Sequence, residues 1–93
     1  MTYRVEMQPA ARRDFDGLPS HVQRQVCEHL RALATDPRPP GIVPVENAPK
    51  GCYRIRVGRF RIGYRVDDKA GLVSVWAIGP RDSFYKVAER RAK

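Results

Sequence analysis

Alternating apolar and polar residues mark three predicted strands, one at the start of the chain and two in its second half. The run LVSVWAI, which is apolar on both faces except at Ser74, marks a fourth and is typical of a central strand. The alternation is clear in YRVEM and in the two arginine-rich runs CYRIRV and RFRIGYRV. A side-chain period of two residues is typical of strands that bury one face. Gly58 and the segment 67–71 separate the last three runs and predict two hairpin turns. The predicted strands cover residues 3–7, 52–57, 59–66 and 72–78.

Apolar residues at helical spacing predict two helices directly after the first strand. The first helix follows Pro9 and ends near Gly17, and the second begins at Pro19. The predicted buried positions are Ala11, Phe15 and Leu18 in the first helix, and Val22, Val26, Leu30 and Leu33 in the second. Residues 36–51 carry five of the eight prolines and are predicted to form an extended loop, and residues 82–91 a short terminal helix.

The predicted order of elements is β-α-α-β-β-β with a last helix, which indicates an α+β fold. We expect one antiparallel sheet with a two-helix hairpin packed on one of its faces. A chain of 93 residues is long enough for one modest core, so residues 1–93 are predicted to form a single domain.

Composition adds a strong positive charge to this picture. The formal net charge is +8 and the isoelectric point is about 10.2, which favours an anionic partner such as nucleic acid, an acidic protein or a membrane surface. No signal peptide and no membrane-spanning window is recognisable, so a cytoplasmic protein without membrane contact is predicted. The two cysteines form no CxxC motif and no cluster with histidine, and no metal or cofactor site is predicted.

The positive charge is concentrated on one face of the predicted sheet, which we expect to be the open face opposite the helices. Arginine has a lower strand propensity than valine or isoleucine, and like charges on one face repel, so such a stripe calls for an anion that lies across it. An ordinary solvated face is the alternative. The predicted anion-binding stripe consists of Arg54, Arg56, Arg59, Arg61 and Arg65.

Three segments in this order resemble the RelE/ParE superfamily of bacterial and archaeal toxin–antitoxin systems. They are LPSHVQRQVCEHLRAL in the helix pair, PKGCYRIRVGRFRIGYRV at the loop and first hairpin, and AIGPRDSFY at the end of the last strand. The resemblance covers nearly the whole chain and implies a RelE-like fold. RelE-like members are ribosome-dependent messenger RNA endonucleases, whereas ParE-like members poison DNA gyrase.

The resemblance also implies a set of catalytic residues. RelE-like enzymes carry basic residues on the first two hairpin strands, an arginine after the last strand and a tyrosine near the C-terminus. These requirements fall on Arg54, Arg56, Arg61, Arg81 and Tyr85. Two positions depart from the family pattern. Relatives often have lysine at one or both of the first two basic positions, where this chain has Arg54 and Arg56. The position just before the final arginine is often histidine, and here it is Pro80. Arg54, Arg56, Arg59 and Arg65 are the predicted RNA-binding residues.

Arginine suits one part of metal-free RNA cleavage better than the others. Guanidinium groups stabilise the charge of a phosphorane, but with an ordinary pKa of about 12.5–13.8 they are poor bases. Tyr85 is therefore the better candidate for the base or for orienting the 2′-OH, and Arg81 for neutralising the leaving oxygen. Glu46, in the proline-rich loop, is an alternative base. His21 and His29 are predicted to lie on the second helix, away from this face. Trp76 is predicted to be a core residue, and stacking on an RNA base is the alternative.

These residues predict a toxin that cleaves mRNA in the ribosomal A site by 2′-OH attack and so inhibits translation. Its expected partners are the 70S ribosome, mRNA and a small antitoxin whose acidic or amphipathic segment covers the arginines. Two alternatives stay open. One is a ParE-like inhibitor that binds DNA gyrase without cutting RNA, and the other is a basic RNA-binding domain without catalysis.

Overall fold

The computed structural model describes residues 2–91 and contains the predicted elements together with one additional short strand. The second strand, β2, has two residues and lies within the segment predicted to be a loop. The elements are β1 (Arg4–Met7), α1 (Pro9–Asp16), α2 (Ser20–Thr35), β2 (Val43–Pro44), β3 (Cys52–Val57), β4 (Phe60–Asp67), β5 (Leu72–Pro80) and α3 (Arg81–Arg91).

The strands form one five-stranded sheet in the order β1-β5-β4-β3-β2. The α+β fold with a helix pair on one face is confirmed, but the sheet is mixed and not wholly antiparallel. The hairpins β3–β4 and β4–β5 are antiparallel, whereas β1 runs parallel to β5 from Arg4 opposite Leu72 to Met7 opposite Val75. A tight turn forces its two strands to be antiparallel. Because two helices separate β1 from the hairpins, β1 is free to pair in parallel.

The first face of the sheet carries the main core, as the alternation predicts. Apolar residues of β3, β4 and β5 pack on the stripe of α2 that contains Val22, Val26, Leu30 and Leu33. Tyr64 lies at the centre with no exposed surface, and its hydroxyl donates a hydrogen bond of 2.8 Å to the carbonyl oxygen of Pro37. Burial raises the pKa of Tyr64, so the phenol stays neutral and remains a donor.

The second face of the sheet is partly covered, which corrects the expectation of an open face. α3 lies over it, with Phe84 and Ala88 packed on Trp76 and Ala77 in a second buried cluster. The rings of Trp76 and Phe84 are 5.8 Å apart between centroids. Trp76 is 4% exposed and belongs to the core, as predicted.

A bulge in β5 gives Trp76 its position. Gly63 pairs with Ala77 and Tyr64 pairs with Val75, so Trp76 is an extra residue on β5. The indole ring lies against Gly63, where the Cβ atom of any other residue would come within 2.6–2.8 Å of three ring carbons. The glycine on β4 is therefore what makes room for the tryptophan.

The loop between α2 and β3 is tied to the sheet by a polar cluster. Arg38 donates two hydrogen bonds of 3.1 and 2.9 Å to the carboxylate of Asp68, and Tyr3 donates one of 2.6 Å to the same group. The Arg38 and Tyr3 bonds lower the pKa of Asp68. The loop is thus anchored at its start and by the pairing of β2 with β3. Within residues 2–91 no helix is long and apolar enough to cross a membrane.

We expect Gly63→Ala to lower the free energy of unfolding by about 1–3 kcal/mol, because the new methyl group overlaps the Trp76 ring. Urea denaturation followed by circular dichroism measures the change. Gly79→Ala is the matched control, since its Cβ would have no neighbour closer than the Ser83 hydroxyl at 3.9 Å. Equal stability of the two variants would contradict the packing described here.

Candidate active site

The β3–β4 hairpin places the predicted arginines side by side on the second face of the sheet. Arg56 pairs directly with Arg61 across the two strands. Arg54 lies two residues before Arg56 on β3, on the same face, and pairs with Gly63. Gly58 closes the hairpin with a φ of +58°, a left-handed conformation that favours glycine. Like charges opposite each other destabilise a sheet, so this pairing favours the binding of an anion.

Arg61 is the most enclosed of these arginines. Its side chain is 8% exposed, and Nη1 donates a hydrogen bond of 3.0 Å to the carbonyl oxygen of Phe60. The pKa of Arg61 is lowered, first by burial and then by the positive charge of Arg56. Arg81 and Arg54 act in the same direction and Tyr85 opposes them. The other four residues of the predicted catalytic set are therefore all within electrostatic reach of Arg61.

The arginines form a pocket with a volume of about 300 Å³. We call it the arginine pocket, and it is lined by Arg56, Arg59, Arg61, Pro80, Arg81 and Asp82. The backbone N–H of Arg81 donates a hydrogen bond of 3.0 Å to the carbonyl oxygen of Arg59. This bond fixes the start of α3 to the hairpin turn and brings Arg81 to the site.

Arg54 and Tyr85 form a second part of the site. Nη1 of Arg54 donates a hydrogen bond of 2.9 Å to the Tyr85 hydroxyl, and the guanidinium carbon lies 5.2 Å from the centre of the tyrosine ring. Tyr85 is 47% exposed, although it is a large aromatic residue. Its hydroxyl is therefore oriented by a cation and is accessible from solvent.

A second pocket, of about 310 Å³, opens beside the Arg54–Tyr85 pair. Glu46, the alternative base, lines this pocket together with Arg54 and Tyr85. Glu89 lines it as well, and the sequence reasoning missed this residue. The signal was present, because Glu89 follows Tyr85 by four residues on α3 and such residues share one face of a helix.

The positive charge at the site is not neutralised by ion pairs. Within residues 2–91 the structure contains four ion pairs, and none of them includes an arginine of the predicted site. Arg65 is not brought to the cluster. It lies four residues beyond Arg61 on β4, about 13 Å away at the usual rise per residue, and pairs with Cys52 and Ser74.

The remaining candidates lie elsewhere. His21 and His29 belong to α2, which packs on the opposite face of the sheet, and the His29 ring contacts the carbonyl oxygen of Gln25 at 2.9 Å. In the part of the chain that the structure describes, no group of three histidine, cysteine, aspartate or glutamate side chains is arranged to hold a metal ion.

Comparison with known proteins identifies similar chains over almost the whole length. The family model for the ParE toxin of type II toxin–antitoxin systems, parDE, matches residues 5–85. A protein of Escherichia coli described as a RelE-like toxin is 28% identical over 97 residues, which span all of both chains.

Solved structures share the fold. The RelBE2 toxin–antitoxin complex of Mycobacterium tuberculosis matches with a TM-score of 0.76 and 28% identity, over 87% of this chain and 100% of that one. The intact RelBE complex of E. coli matches with a TM-score of 0.74 and 25% identity, over 84% and 95%. A free E. coli RelE mutant matches with a TM-score of 0.77 over 97% and 98%, and at 23% identity it supports the fold alone.

The family match and the shared fold agree with the resemblance found in the sequence. The family model covers most of the chain, and the RelE-like relative aligns from end to end. This chain belongs to the RelE/ParE superfamily and is a toxin of a type II toxin–antitoxin system.

Proposed function

We propose that this toxin is a ribosome-dependent endoribonuclease that cuts mRNA in the ribosomal A site. The observation that carries the proposal is the grouping of Arg54, Arg56, Arg61, Arg81 and Tyr85 on one face, with no ion pair to the arginines within residues 2–91. A sheet that keeps so many like charges together gains stability when a polyanion binds to it.

The arginine pocket is assigned to the scissile phosphate. Guanidinium groups bind phosphate oxygens through two parallel hydrogen bonds and stay charged at any physiological pH. Arg61 is largely withdrawn from water, and a charge in such a place interacts more strongly with the developing charge of a phosphorane. Arg56 and Arg81, both exposed, are available to the other oxygens.

The proposed reaction is attack of the ribose 2′-oxygen on the adjacent phosphorus. Tyr85, acting as the phenolate, accepts the 2′-OH proton and later releases it to solvent. The bond from phosphorus to the 5′-oxygen breaks, and Arg81 neutralises the leaving oxygen, which takes up a proton from solvent. The products are a 2′,3′-cyclic phosphate and a 5′-OH. The hydrogen bond from Arg54 holds the Tyr85 hydroxyl in one direction, and Glu46 in the neighbouring pocket is the alternative base.

The chemistry of these residues accounts for a requirement for the ribosome. Tyrosine and arginine titrate far above neutral pH, so the site has weak acid–base catalysts and strong phosphate binding. Most of the rate must then come from holding the 2′-OH in line with the scissile bond. An open surface with an exposed Tyr85 cannot impose that geometry on a flexible strand, and we assign this role to the ribosome.

An antitoxin is the proposed physiological partner, since the solved relatives include RelE toxins in complex with RelB. A groove of about 470 Å³ between β1 and α2 offers a second surface, which shares no residue with the arginine pocket. Val5, Met7 and Leu30 make it apolar, and Arg12 and Arg31 also line it. A segment with apolar and acidic residues matches both this groove and the arginine pocket.

A ParE-like action on DNA gyrase is the second candidate. The observation that favours it is the family model, which describes ParE toxins and matches residues 5–85. The same fold would then serve as a protein-binding surface, and the arginines would contact an acidic patch of the target.

We expect Arg56→Gln to weaken binding of a 2′-O-methyl oligonucleotide, which cannot be cleaved by 2′-OH attack. Loss of one phosphate contact should reduce the slope of log K against log salt by about 0.7. Fluorescence anisotropy at several salt concentrations measures both quantities. Arg24→Gln removes the same charge from the exposed surface of α2 and should leave the slope nearly unchanged. Equal slopes for the two variants would contradict RNA binding at the arginine pocket.

In a cell-free translation system we expect the wild-type protein to stop synthesis and to create new mRNA ends within the A-site codon. Arg61→Ala and Arg81→Ala should reduce cleavage by at least about a hundredfold, and Tyr85→Phe somewhat less, because these changes remove transition-state contacts. Primer extension on stalled ribosomes measures the ends. Arg24→Ala is the control, and melting curves show whether each variant is folded.

The same proteins separate the two candidate functions when a gyrase supercoiling assay is run in parallel. Intact mRNA together with inhibited supercoiling would exclude the nuclease and support the ParE-like action. Indifference of cleavage to Tyr85→Phe would move the base from Tyr85 to Glu46, which Glu46→Gln then tests.

A further inference from the structure

The position of α3 decides whether the site exists, because the helix carries both Arg81 and Tyr85. Only two of its residues, Phe84 and Ala88, are buried. Its first residue is held by the backbone bond from Arg81 to Arg59. Tyr85 lies between that end and the far end of the helix, so its direction depends on how the far end is held.

The far end of α3 meets a part of β5 that pairs with β4 on one edge and has no strand on its other edge. β1 ends at Met7, opposite Val75, whereas β5 continues to Pro80. Backbone groups of an unpaired strand edge need other partners when they are withdrawn from water. Two of them bind side chains here. The N–H of Ile78 donates to Oδ2 of Asp14 at 3.1 Å, and the carbonyl oxygen of Trp76 accepts from Nη1 of Arg91 at 3.3 Å.

Asp14 and Arg91 also bind each other. Nη1 of Arg91 donates to Oδ2 of Asp14 at 2.6 Å, and Nη2 contacts Oδ1 at 3.4 Å. The side chain of Asp14 is 23% exposed and that of Arg91 is 29% exposed. In the other three ion pairs within residues 2–91, every side chain is at least 40% exposed. A partly buried pair with two oxygens and two nitrogens in contact is the kind whose disruption is costly.

These contacts join three elements at one point. Asp14 belongs to α1 on the first face of the sheet, Arg91 ends α3 on the second face, and the bound backbone groups belong to β5 between them. We call this arrangement the Asp14–Arg91 clamp. It replaces the missing strand at the edge of β5 and holds α3 against the sheet.

We propose that Asp14 and Arg91 are positioning residues that hold α3 so that the Tyr85 hydroxyl meets Arg54. Neither touches the predicted substrate site, and both act through α3. The catalytic consequence rests on the proposed nuclease function, whereas the docking of α3 does not. Loss of the clamp lets the far end of α3 move, while the bond from Arg81 to Arg59 keeps the near end in place.

The docking of α3 is tested with Trp76, the only tryptophan of the chain, which lies beneath Phe84. Asp14→Asn and Arg91→Gln should each increase acrylamide quenching of Trp76 and accelerate hydrogen exchange of the α3 amides by about tenfold. Arg91→Lys keeps the charge and should restore most of the protection. The control is Asp16→Asn, which breaks the exposed pair with Arg12 on the same helix. Quenching and exchange equal to wild type in both clamp variants would overturn the proposal.

The effect on catalysis is tested by a double-mutant cycle with Tyr85→Phe on programmed ribosomes. Asp14→Asn should slow cleavage by about tenfold at saturating ribosome and leave ribosome affinity within about twofold, since a displacement of 1 Å can cost that much. In the Tyr85→Phe background the same change should cost less than about twofold. An equal factor in both backgrounds would indicate a general loss of structure and would overturn the positioning role.

The docking measurements and the cleavage measurements distinguish a failure of the clamp from a failure of the proposed nuclease function. If the wild-type protein cuts no mRNA, the proposed function is wrong, and quenching with exchange still decides whether the clamp holds α3. If Asp14→Asn does not fold, Arg91→Gln replaces it, because that variant keeps the bond between Asp14 and Ile78.

Discussion

The packing of Trp76 on Gly63 is the contact on which the candidate site depends. The bulge in β5 turns an indole ring onto the second face of the sheet, and the absence of a side chain at Gly63 leaves room for it. Phe84 then packs on the ring, and α3 lies over part of the arginine face. Tyr85 follows Phe84 in the chain, so this apolar contact brings its hydroxyl to Arg54.

Electrostatic repulsion between the arginines opposes this packing and also favours the binding of an anion. Arg56 and Arg61 are paired across the hairpin, and Arg54 and Arg81 lie close enough to lower the pKa of Arg61 together with its burial. The core on the first face has to offset that repulsion in the free protein. In the proposed function a phosphate relieves this repulsion on binding, and an acidic segment of an antitoxin relieves it in the same way.

Binding and proton transfer place different demands on such a site. Arg61 and the three arginines around it are well suited to the charge of a pentavalent phosphorus. In the proposed reaction, proton transfer depends on Tyr85, with Glu46 in the neighbouring pocket as the alternative base. The RelE/ParE superfamily uses this fold for toxins with different targets, so fold alone leaves the target open.

The sequence by itself determined the elements and pointed to the candidate site residues. Strand and helix periods depend on local chemistry, and for that reason β3, β4, β5, both helices of the hairpin and the terminal helix were predictable. The arginine stripe followed from the strand period, whereas Arg81 and Tyr85 followed from the family resemblance. The parallel pairing of β1 was not predictable, because it depends on the path of two helices and leaves no mark in the strand pattern.

Only the tertiary structure decided which of these residues meet. It covered part of a face that looked open, since the apolar residues of α3 are too few to reveal a packed helix by their period. It brought Glu46 beside Tyr85 and joined Asp14 to Arg91, and the members of both pairs lie far apart in the chain. Long-range contacts of this kind follow from the packing of whole elements, and local sequence carries no record of them.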